Sequence, residues 1–430
     1  MEYRYRDASE MKDSGVEWIG QIPSDWTISR IDKEFNVRNE KVSDKVYPPL
    51  SVTKQGILPQ LDNVAKSDNG DNRKKVCVGD FVINSRADRK GSCGVSIYNG
   101  SVSLIWNVLT PKRLHPQYVH SLFRNYYFSE EFYRWGSGIV DDLWSTNIEK
   151  MKKINIPIPM DKEDEKIANF LDKKTSQFDS IISKKEVLIE KLEEAKKSLI
   201  SEVVTGKVKV VKTADGYDLV KRSSDEMKDS GVEWLGEIPK NWEVNKFKYV
   251  AYNTNSKVKT NSVDNYIGLE NVESKTGKLL SYGSSKDIES DMSTYFDCNS
   301  VLFGKLRPYL AKCIVTETTG ICSDEFLVLK SKKLLSTVLK YIMLDAYFID
   351  LVNSSTYGAK MPRVNWDFIS NMKIPVMDME EQLLIKNFID DRKTKIDTII
   401  NKTKLQIEKL KEAKQSLISE AVTGKIEVLN

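Results

Sequence analysis

The sequence predicts an α+β protein: two mixed α/β domains related by a pseudo-two-fold axis and separated by two long antiparallel coiled-coil helices. Three observations predict it. The chain repeats itself at an offset of about half its length, the interiors between the matched segments are rich in β-branched and aromatic residues broken by turn formers, and two long stretches lack both proline and glycine.

The repeat comes first because it orders everything else. Met11 to Trp26 reads MKDSGVEWIGQIPSDW and Met227 to Trp242 reads MKDSGVEWLGEIPKNW, an offset of 216 residues. Glu190 to Val208 reads EKLEEAKKSLISEVVTGKV and Glu408 to Ile426 reads EKLKEAKQSLISEAVTGKI, an offset of 218. One whole unit has therefore been copied almost without net insertion. Between these ends, 27–150 and 243–368 share only scattered pattern. Either neutral drift has reshaped loops around a structural frame, or each interior reads something different.

Each interior carries the same grammar. Asp80-Phe81-Val82-Ile83, Val95-Ser96-Ile97-Tyr98, Ser300-Val301-Leu302-Phe303 and Glu325-Phe326-Leu327-Val328-Leu329 have the composition of short strands. Helical patterns follow around Tyr118 to Arg134 and Leu335 to Val352, and then the extended Ile156-Pro157-Ile158-Pro159 and Lys373-Ile374-Pro375-Val376. The predicted order is a domain over 1–160, a spacer helix over 161–206, a linker over 207–226, a second domain over 227–377 and a second spacer helix over 378–424.

The helices are read from about Lys162 to Val203 and from about Met379 to Val422, where Lys, Glu, Leu, Ile and Ala dominate. Phe178, Ile181, Leu188, Leu192, Ala195 and Leu199 suggest a coiled-coil seam interrupted by Lys185. In the second helix the seam reads Ile396, Ile399, Leu410, Ala413 and Leu417, weakened by Thr403 and Gln406, with Ile407 one position away. Such helices reach about 60 Å, beyond the diameter of a small domain, so each needs an outside partner for its apolar face, and the other copy is the nearest. Gly206 and Gly424 suit the left-handed residue that follows a helix end.

Composition narrows the function classes. At 430 residues, 40% apolar and 30% charged, the chain has the balance of a folded globular protein, and its net charge of +4 permits a nucleic-acid partner without demanding one. No apolar run approaches the ~20 residues of a membrane span, and the opening lacks a secretory signal, so a cytoplasmic protein is expected. Cys77, Cys93, Cys298, Cys313 and Cys322 show no metal or redox spacing. Thr205-Gly206-Lys207 ends a helix, whereas a phosphate loop opens one. Gly136-Ser137-Gly138 lacks a third glycine, and Tyr47-Pro48-Pro49-Leu50 lacks the Asn or Asp that adenine methyltransferases place before two prolines. His115 and His120 fall outside any metal-ligand pattern, and the Asp141-Asp142 doublet reads as a solvated loop. No catalytic centre and no metal site are expected in this chain.

The duplicated MKDSGVEWxGxIPxxW opening, the Phe303-Gly304-Lys305-Leu306-Arg307-Pro308-Tyr309 signature followed by Cys322-Ser323-Asp324-Glu325-Phe326, the Ile-Pro lead into Glu380-Glu381-Gln382 and the SLISEAVTGK helix end together resemble the specificity subunit of type I restriction-modification systems. The resemblance spans nearly the whole chain. It implies two target-recognition domains that each read one half of a split site in double-stranded DNA, with the helices acting as spacer and docking surface for two modification (methyltransferase) subunits. Restriction subunits, with translocase and nuclease activity, complete the complex. S-adenosylmethionine, ATP and Mg are implied for those partners, and no cofactor for this chain. Two departures stand out: the first copy carries Asp164-Glu165-Lys166 where the second has Glu380-Glu381-Gln382, and it lacks a clear counterpart of Gly304-Lys305-Leu306-Arg307-Pro308.

Reading bases in the major groove needs Arg, Lys, Asn or Gln at base edges, with further cations on phosphates. The first domain offers Lys54 and Gln55 in Thr53-Lys54-Gln55, Arg86, Arg89 and Lys90 in the run from Asn84, and Arg73 and Lys74 beside Lys75. The second offers Asn271 after Glu270, then Lys305, Arg307 and Lys312, with Lys360 and Arg363 behind them. Each competes with an ordinary solvated surface residue. Tyr47, Trp106, Trp144 and Trp366 are expected in the core. Two other readings share parts of the pattern, a specificity subunit of a type IIB-like system and a coiled-coil scaffold that binds only proteins.

Overall fold

The computed structural model of the chain describes residues 2–60, 70–86, 89–138, 144–214, 216–260, 263–288, 290–358 and 360–429. It divides into two compact units, Met1–Glu186 with Lys404–Asn430, and Val187–Thr403. In the first, strands Cys93–Val95, Phe81–Ile83, Asn107–Pro111 and Phe35–Val37 lie side by side in that order, all antiparallel. In the second, Cys313–Val315, Val301–Gly304, Phe326–Ser331 and Ala251–Thr254 repeat that order. The interiors that share little sequence therefore share one sheet topology.

Two short helices cover each sheet, where the sequence suggested one. The pattern around Tyr118 to Arg134 is cut into Pro116–Phe123 and Tyr126–Arg134 because the Asn125 side chain accepts the Tyr127 amide hydrogen and starts a second helix. Asp345 does the same between Ser336–Leu344 and Ala346–Ser354, accepting from Tyr347 and Phe348. Phe123, Phe128 and Phe132 bury fully against Phe81 in the first unit, and Val338, Ile342 and Phe348 against Phe303 in the second.

The frame of each unit is closed by the repeated motifs. Strand Thr27–Arg30 pairs with Asn155–Ile158, and Glu243–Lys246 with Lys373–Val376, so the two Ile-Pro segments become strands. In the first unit, buried Trp26 meets the start of one long helix, at Glu163, and the end of the other, at Gly424. A Cβ on Gly424, whose φ is +73°, would stand 2.4 Å from Pro23. In the second unit Trp242 meets Glu381 and Gly206 likewise, with Pro239 again at 2.4 Å. The segment 207–226, expected as a linker, carries the hairpin Val208–Thr213 with Gly216–Lys221. The chain ends build the matching pair in the first unit, Tyr3–Tyr5 on Ile426–Val428.

The long helices run Glu163–Val204 and Met379–Val422. Every second position of their seam is displaced by one residue from the sequence reading, while Phe178, Leu192, Leu199, Ile396, Leu410 and Leu417 keep their places. Ile181, Leu188 and Ile399 are exposed, as are Ala195 and Ala413, while Ile182, Lys196, Ile400, Thr403 and Ile407 are buried. The line Phe178, Ile182, Lys185, Ile189, Leu192, Lys196, Leu199 keeps the four-and-three spacing throughout, as does Ile396, Ile400, Thr403, Ile407, Leu410, Lys414, Leu417. Polar seam members find partners across an antiparallel pairing. In the first unit Lys185 donates to Gln406 at 2.7 Å and Lys414 to Asp179 at 2.6 Å; in the second, Lys196 reaches Asp397 at 2.8 Å.

Candidate nucleic-acid interface

The departure noted at the start of the first helix closes once the contacts are followed. Glu163, not Glu165, matches Glu381: each accepts from its tryptophan indole, at 2.6 and 2.7 Å, and each pairs with an arginine, Arg6 or Arg222. Asp164 and Gln382 then correspond, and accept the backbone amide hydrogens of His115 and Leu335 at the same distance of 2.6 Å. The offset is 218, the one already seen at the helix ends.

The second departure closes in the same way. The loop from Asn84 to Ser92 links the same pair of strands in the first unit as the loop from Lys305 to Lys312 links in the second. Thr146 donates its amide hydrogen to Ser85 O at 3.0 Å, and Val364 donates to Lys305 O at 3.2 Å. Isolated bridges join Arg86 to Ser145 and Ser137 to Ser145 in one unit, Leu306 to Arg363 and Tyr357 to Arg363 in the other. Ser85 therefore stands where Lys305 stands, Arg86 where Leu306 stands, and Ser145 where Arg363 stands. The counterpart of Gly304-Lys305-Leu306 exists as backbone but carries other side chains.

In the second unit Lys305, Tyr357 and Arg363 line one edge of a cleft of about 580 Å³ that is also lined by Asn253, Asn255, Lys257, Asp324, Glu325 and Trp366. Arg307 is exposed and adopts a left-handed backbone, φ 50°, with its amide hydrogen bonded to Pro362 O at 2.7 Å. Ala311 in the same loop has φ 45°. Strain of this kind in a non-glycine residue costs on the order of 1–3 kcal/mol and persists where the surroundings impose it. Among the described residues nothing takes a hydrogen bond from the Arg307 or Lys360 side chain. Arg363 is held by Glu325 through Nε at 3.1 Å and Nη2 at 2.7 Å. Burial works against the charge of Asp324, yet hydrogen bonds from Lys257 and Thr294 hold its carboxyl below the usual carboxylate range.

Two further candidates in this unit are spent on its own structure. Lys312 donates to Leu269 O at 2.6 Å, and Asn271 accepts from the Gly268 amide at 2.8 Å. Glu325 went unread in the sequence although it lies in the quoted Cys322–Phe326 run, because an acidic residue was not sought among base readers.

In the first unit Lys54 and Gln55 are exposed at the turn of the hairpin Leu50–Thr53 with Gly56–Pro59. Arg124 ties that turn to the sheet by donating to Lys54 O at 2.5 Å and Cys93 O at 2.6 Å. Arg86, Arg89 and Lys90 are exposed in the neighbouring loop, where Lys90 pairs with Glu130. Arg73 and Lys74 are withdrawn from the surface. Arg73 is 8% exposed and donates to Ser101 Oγ at 2.9 Å, Lys74 donates to Trp106 O at 2.6 Å, and burial pushes both below their usual pKa ranges. Consecutive residues of one strand face opposite ways, so each is withdrawn by its own acceptor, Ser101 on one face and Trp106 O on the other, which a run of three cations had concealed.

Tyr47, Trp106, Trp144 and Trp366 are half-buried; Trp106 and Trp366 pack against the cores of their units, Trp366 edge-on to Phe247 at 5.9 Å. His120 is used internally, its Nδ1 accepting the Val95 amide hydrogen at 3.2 Å. The doublet Asp141-Asp142 lies outside the described residues. Among the described residues no helix is long and apolar enough to cross a membrane.

No family model matches the chain. It is 24% identical to the type I restriction enzyme MjaVIII specificity subunit of Methanocaldococcus jannaschii, with 95% of each chain covered. It is 22% identical to the type I restriction enzyme EcoDI specificity subunit of Escherichia coli, over 64% of this chain and 62% of that one. Among solved structures, a chain from a study of complex assembly and conformational transition in the type I R-M system matches with a TM-score of 0.70 at 12% identity, covering 94% of this chain and 99% of its own. The HsdS subunit from Thermoanaerobacter tengcongensis matches with a TM-score of 0.53 at 12% identity, over 94% and 98%. The resemblance read from the repeated motifs is the one these comparisons return, and the fold is that of these subunits.

Proposed function

We propose that this chain, which shares its fold and its end-to-end sequence pattern with type I restriction specificity subunits, is the sequence-specific DNA-recognition subunit of such a complex. It reads a two-part, asymmetric site, one half with each unit, and directs adenine methylation and restriction by partner subunits. The observation that carries this reading is the pair of equivalent ladders, Ser85-Arg86 with Ser145 and Lys305-Leu306 with Arg363, where one backbone presents unlike side chains. Two like scaffolds with unlike polar loops suit two unlike half-sites. A scaffold that binds only proteins gives no reason for that contrast.

On this reading the chain is not itself a catalyst. S-adenosylmethionine belongs to two modification subunits, and ATP and Mg to restriction subunits. The test is to co-purify the chain with its modification subunits and map the adenines they methylate. A two-part sequence with a fixed gap is expected. Methylation with no sequence preference, or along one continuous short site, contradicts the reading, and methylation by the highly purified chain alone contradicts its non-catalytic role.

A further inference from the structure

We propose that Glu325 and Arg363 form a preset guanine reader, in which Glu325 holds one edge of the Arg363 guanidinium so that the opposite edge meets a single base of the half-site read by the second unit. The inference rests on the recognition reading above and deepens it by naming the base and the residue that orients its reader.

A guanidinium has two edges that can each make two parallel hydrogen bonds, one formed by Nε and Nη2, the other by Nη1 and Nη2. In Arg363 the first edge is occupied: Nε lies 3.1 and 3.2 Å from the two Glu325 oxygens and Nη2 lies 2.7 Å from Oε1. No described residue accepts a hydrogen bond from Nη1. The edge left over can make the two parallel hydrogen bonds to O6 and N7 of guanine in the major groove. The pair is partly open to solvent, with the two side chains 35% and 29% exposed, so a base can reach it.

Both partners are anchored through their backbones. Arg363 exchanges amide hydrogen bonds with Tyr357 at 3.0 and 3.1 Å, and Glu325 O accepts from the Lys305 amide at 2.7 Å. A long arginine side chain loses much rotational freedom when it docks on a base, and a side chain already pinned at one edge has lost most of that freedom before DNA arrives. Exposed Tyr357 lines the same cleft as the pair.

Charge separates this pair from its neighbours. Arg307 and Lys360 are cations that release counterions when they meet phosphate. Glu325 with Arg363 is neutral as a unit and so adds little to that salt-dependent attraction. A carboxylate facing a polyanion is tolerable when it is neutralised in this way, and its return is selectivity. The first unit has no such pair, because Ser145 takes the Arg363 position and Ile105, whose carbonyl accepts from Ser85, takes that of Glu325.

The test uses the full chain assembled with its modification subunits, with methylated sites mapped across a genome and DNA affinity measured at several salt concentrations. Four variants are compared with the wild type: Arg363→Ala, Arg363→Lys, Glu325→Gln and Glu325→Asp. The wild type should require guanine at one position of one half-site. Arg363→Ala and Arg363→Lys should both lose that requirement, by about tenfold to a hundredfold in discrimination, without changing the other half-site; Arg363→Lys, which keeps the pair neutral, should leave the salt dependence as it was, whereas Arg363→Ala uncovers the Glu325 carboxylate and also weakens binding evenly. Glu325→Gln should relax the same position, and Glu325→Asp, which retains the charge, should restore most of it. Arg363→Lys keeps the ion pair and the fold, so its loss of preference separates base reading from simple misfolding. In Arg363→Lys, an even fall in affinity across all sequences with the guanine requirement kept would overturn the proposal by making Arg363 a phosphate contact. Relaxation in the Arg363 variants with full preference in Glu325→Gln would overturn the role of Glu325. A wild-type complex that marks no two-part site would instead defeat the recognition reading on which the proposal stands.

Discussion

Trp26 and Glu163 lie 137 positions apart in sequence, yet the indole Nε1 donates to Glu163 Oε2 at 2.6 Å, and Trp242 repeats the contact with Glu381 at 2.7 Å. Each bond ties the opening motif of a copy to the first turn of its long helix. Burial raises the Glu163 pKa against the opposing pull of the indole and Arg6, so the carboxylate depends on those donors. Trp26→Phe should therefore destabilise the first unit by about 1–3 kcal/mol, the usual cost of stranding a buried polar group. In a unit of this size that is a fall of about 2–4 °C in the unfolding midpoint for each kcal/mol. Scanning calorimetry reads it directly, and an unchanged midpoint would show the bond to be dispensable.

His120 gives the first unit a dependence on pH. Burial, aided by Arg124, holds its imidazole down at about 4, against an ordinary value of 6.5. Between those values the unfolded chain binds a proton that the folded chain refuses. The stability His120 contributes is thus complete above about pH 6.5 and is lost as pH falls toward 4, by roughly 1–3 kcal/mol. Urea titrations at pH 7 and pH 5 should show the loss, and His120→Gln should flatten it.

The displaced seam predicts a contrast between adjacent residues. Ile182 is 8% exposed and Ile181 45%. Ile182→Ala should cost about 1–3 kcal/mol, while Ile181→Ala should stay within about 0.5 kcal/mol. Equal effects would mean that the helix faces its partner along a different line.

The same displacement marks where sequence reading stops. Helix length, the duplicated frame and the strands at Phe81–Ile83, Val301–Gly304 and Phe326–Ser331 were legible because apolar periodicity and turn residues act locally, whereas of Val95-Ser96-Ile97-Tyr98, read as a strand, only Val95 lies in one. Half of the seam was not legible, because it accepts Lys185, Lys196 and Lys414, whose partners Gln406, Asp397 and Asp179 come from a distant stretch of chain, and Thr403, whose hydroxyl is satisfied by Ile399 O on its own helix. The candidate interface was half legible for a similar reason. Exposed Arg307, Lys360, Lys54 and Gln55 look in sequence no different from Arg73 and Lys312, and only tertiary partners separate them. The hairpin over 208–221 was read as a linker although half the residues of its strands are apolar and Val210 is buried in the core of the second unit.

Arg307 should behave unlike Arg363. Exposed on a left-handed turn, it suits phosphate. Arg307→Ala should weaken binding evenly across sequences and lower the slope of log affinity against log salt by about one. A change of preference at one base pair, seen by selecting sites from a random pool, would make it a base reader.

The central claim is that each interior reads its own half of the site. Replacing 243–368 with the corresponding interior of a relative, within the assembled complex, and mapping methylated adenines genome-wide tests it most directly. One half-site should change to that of the donor while the other half-site stays as it was. If both halves changed together, or neither did, the two units would not be independent readers.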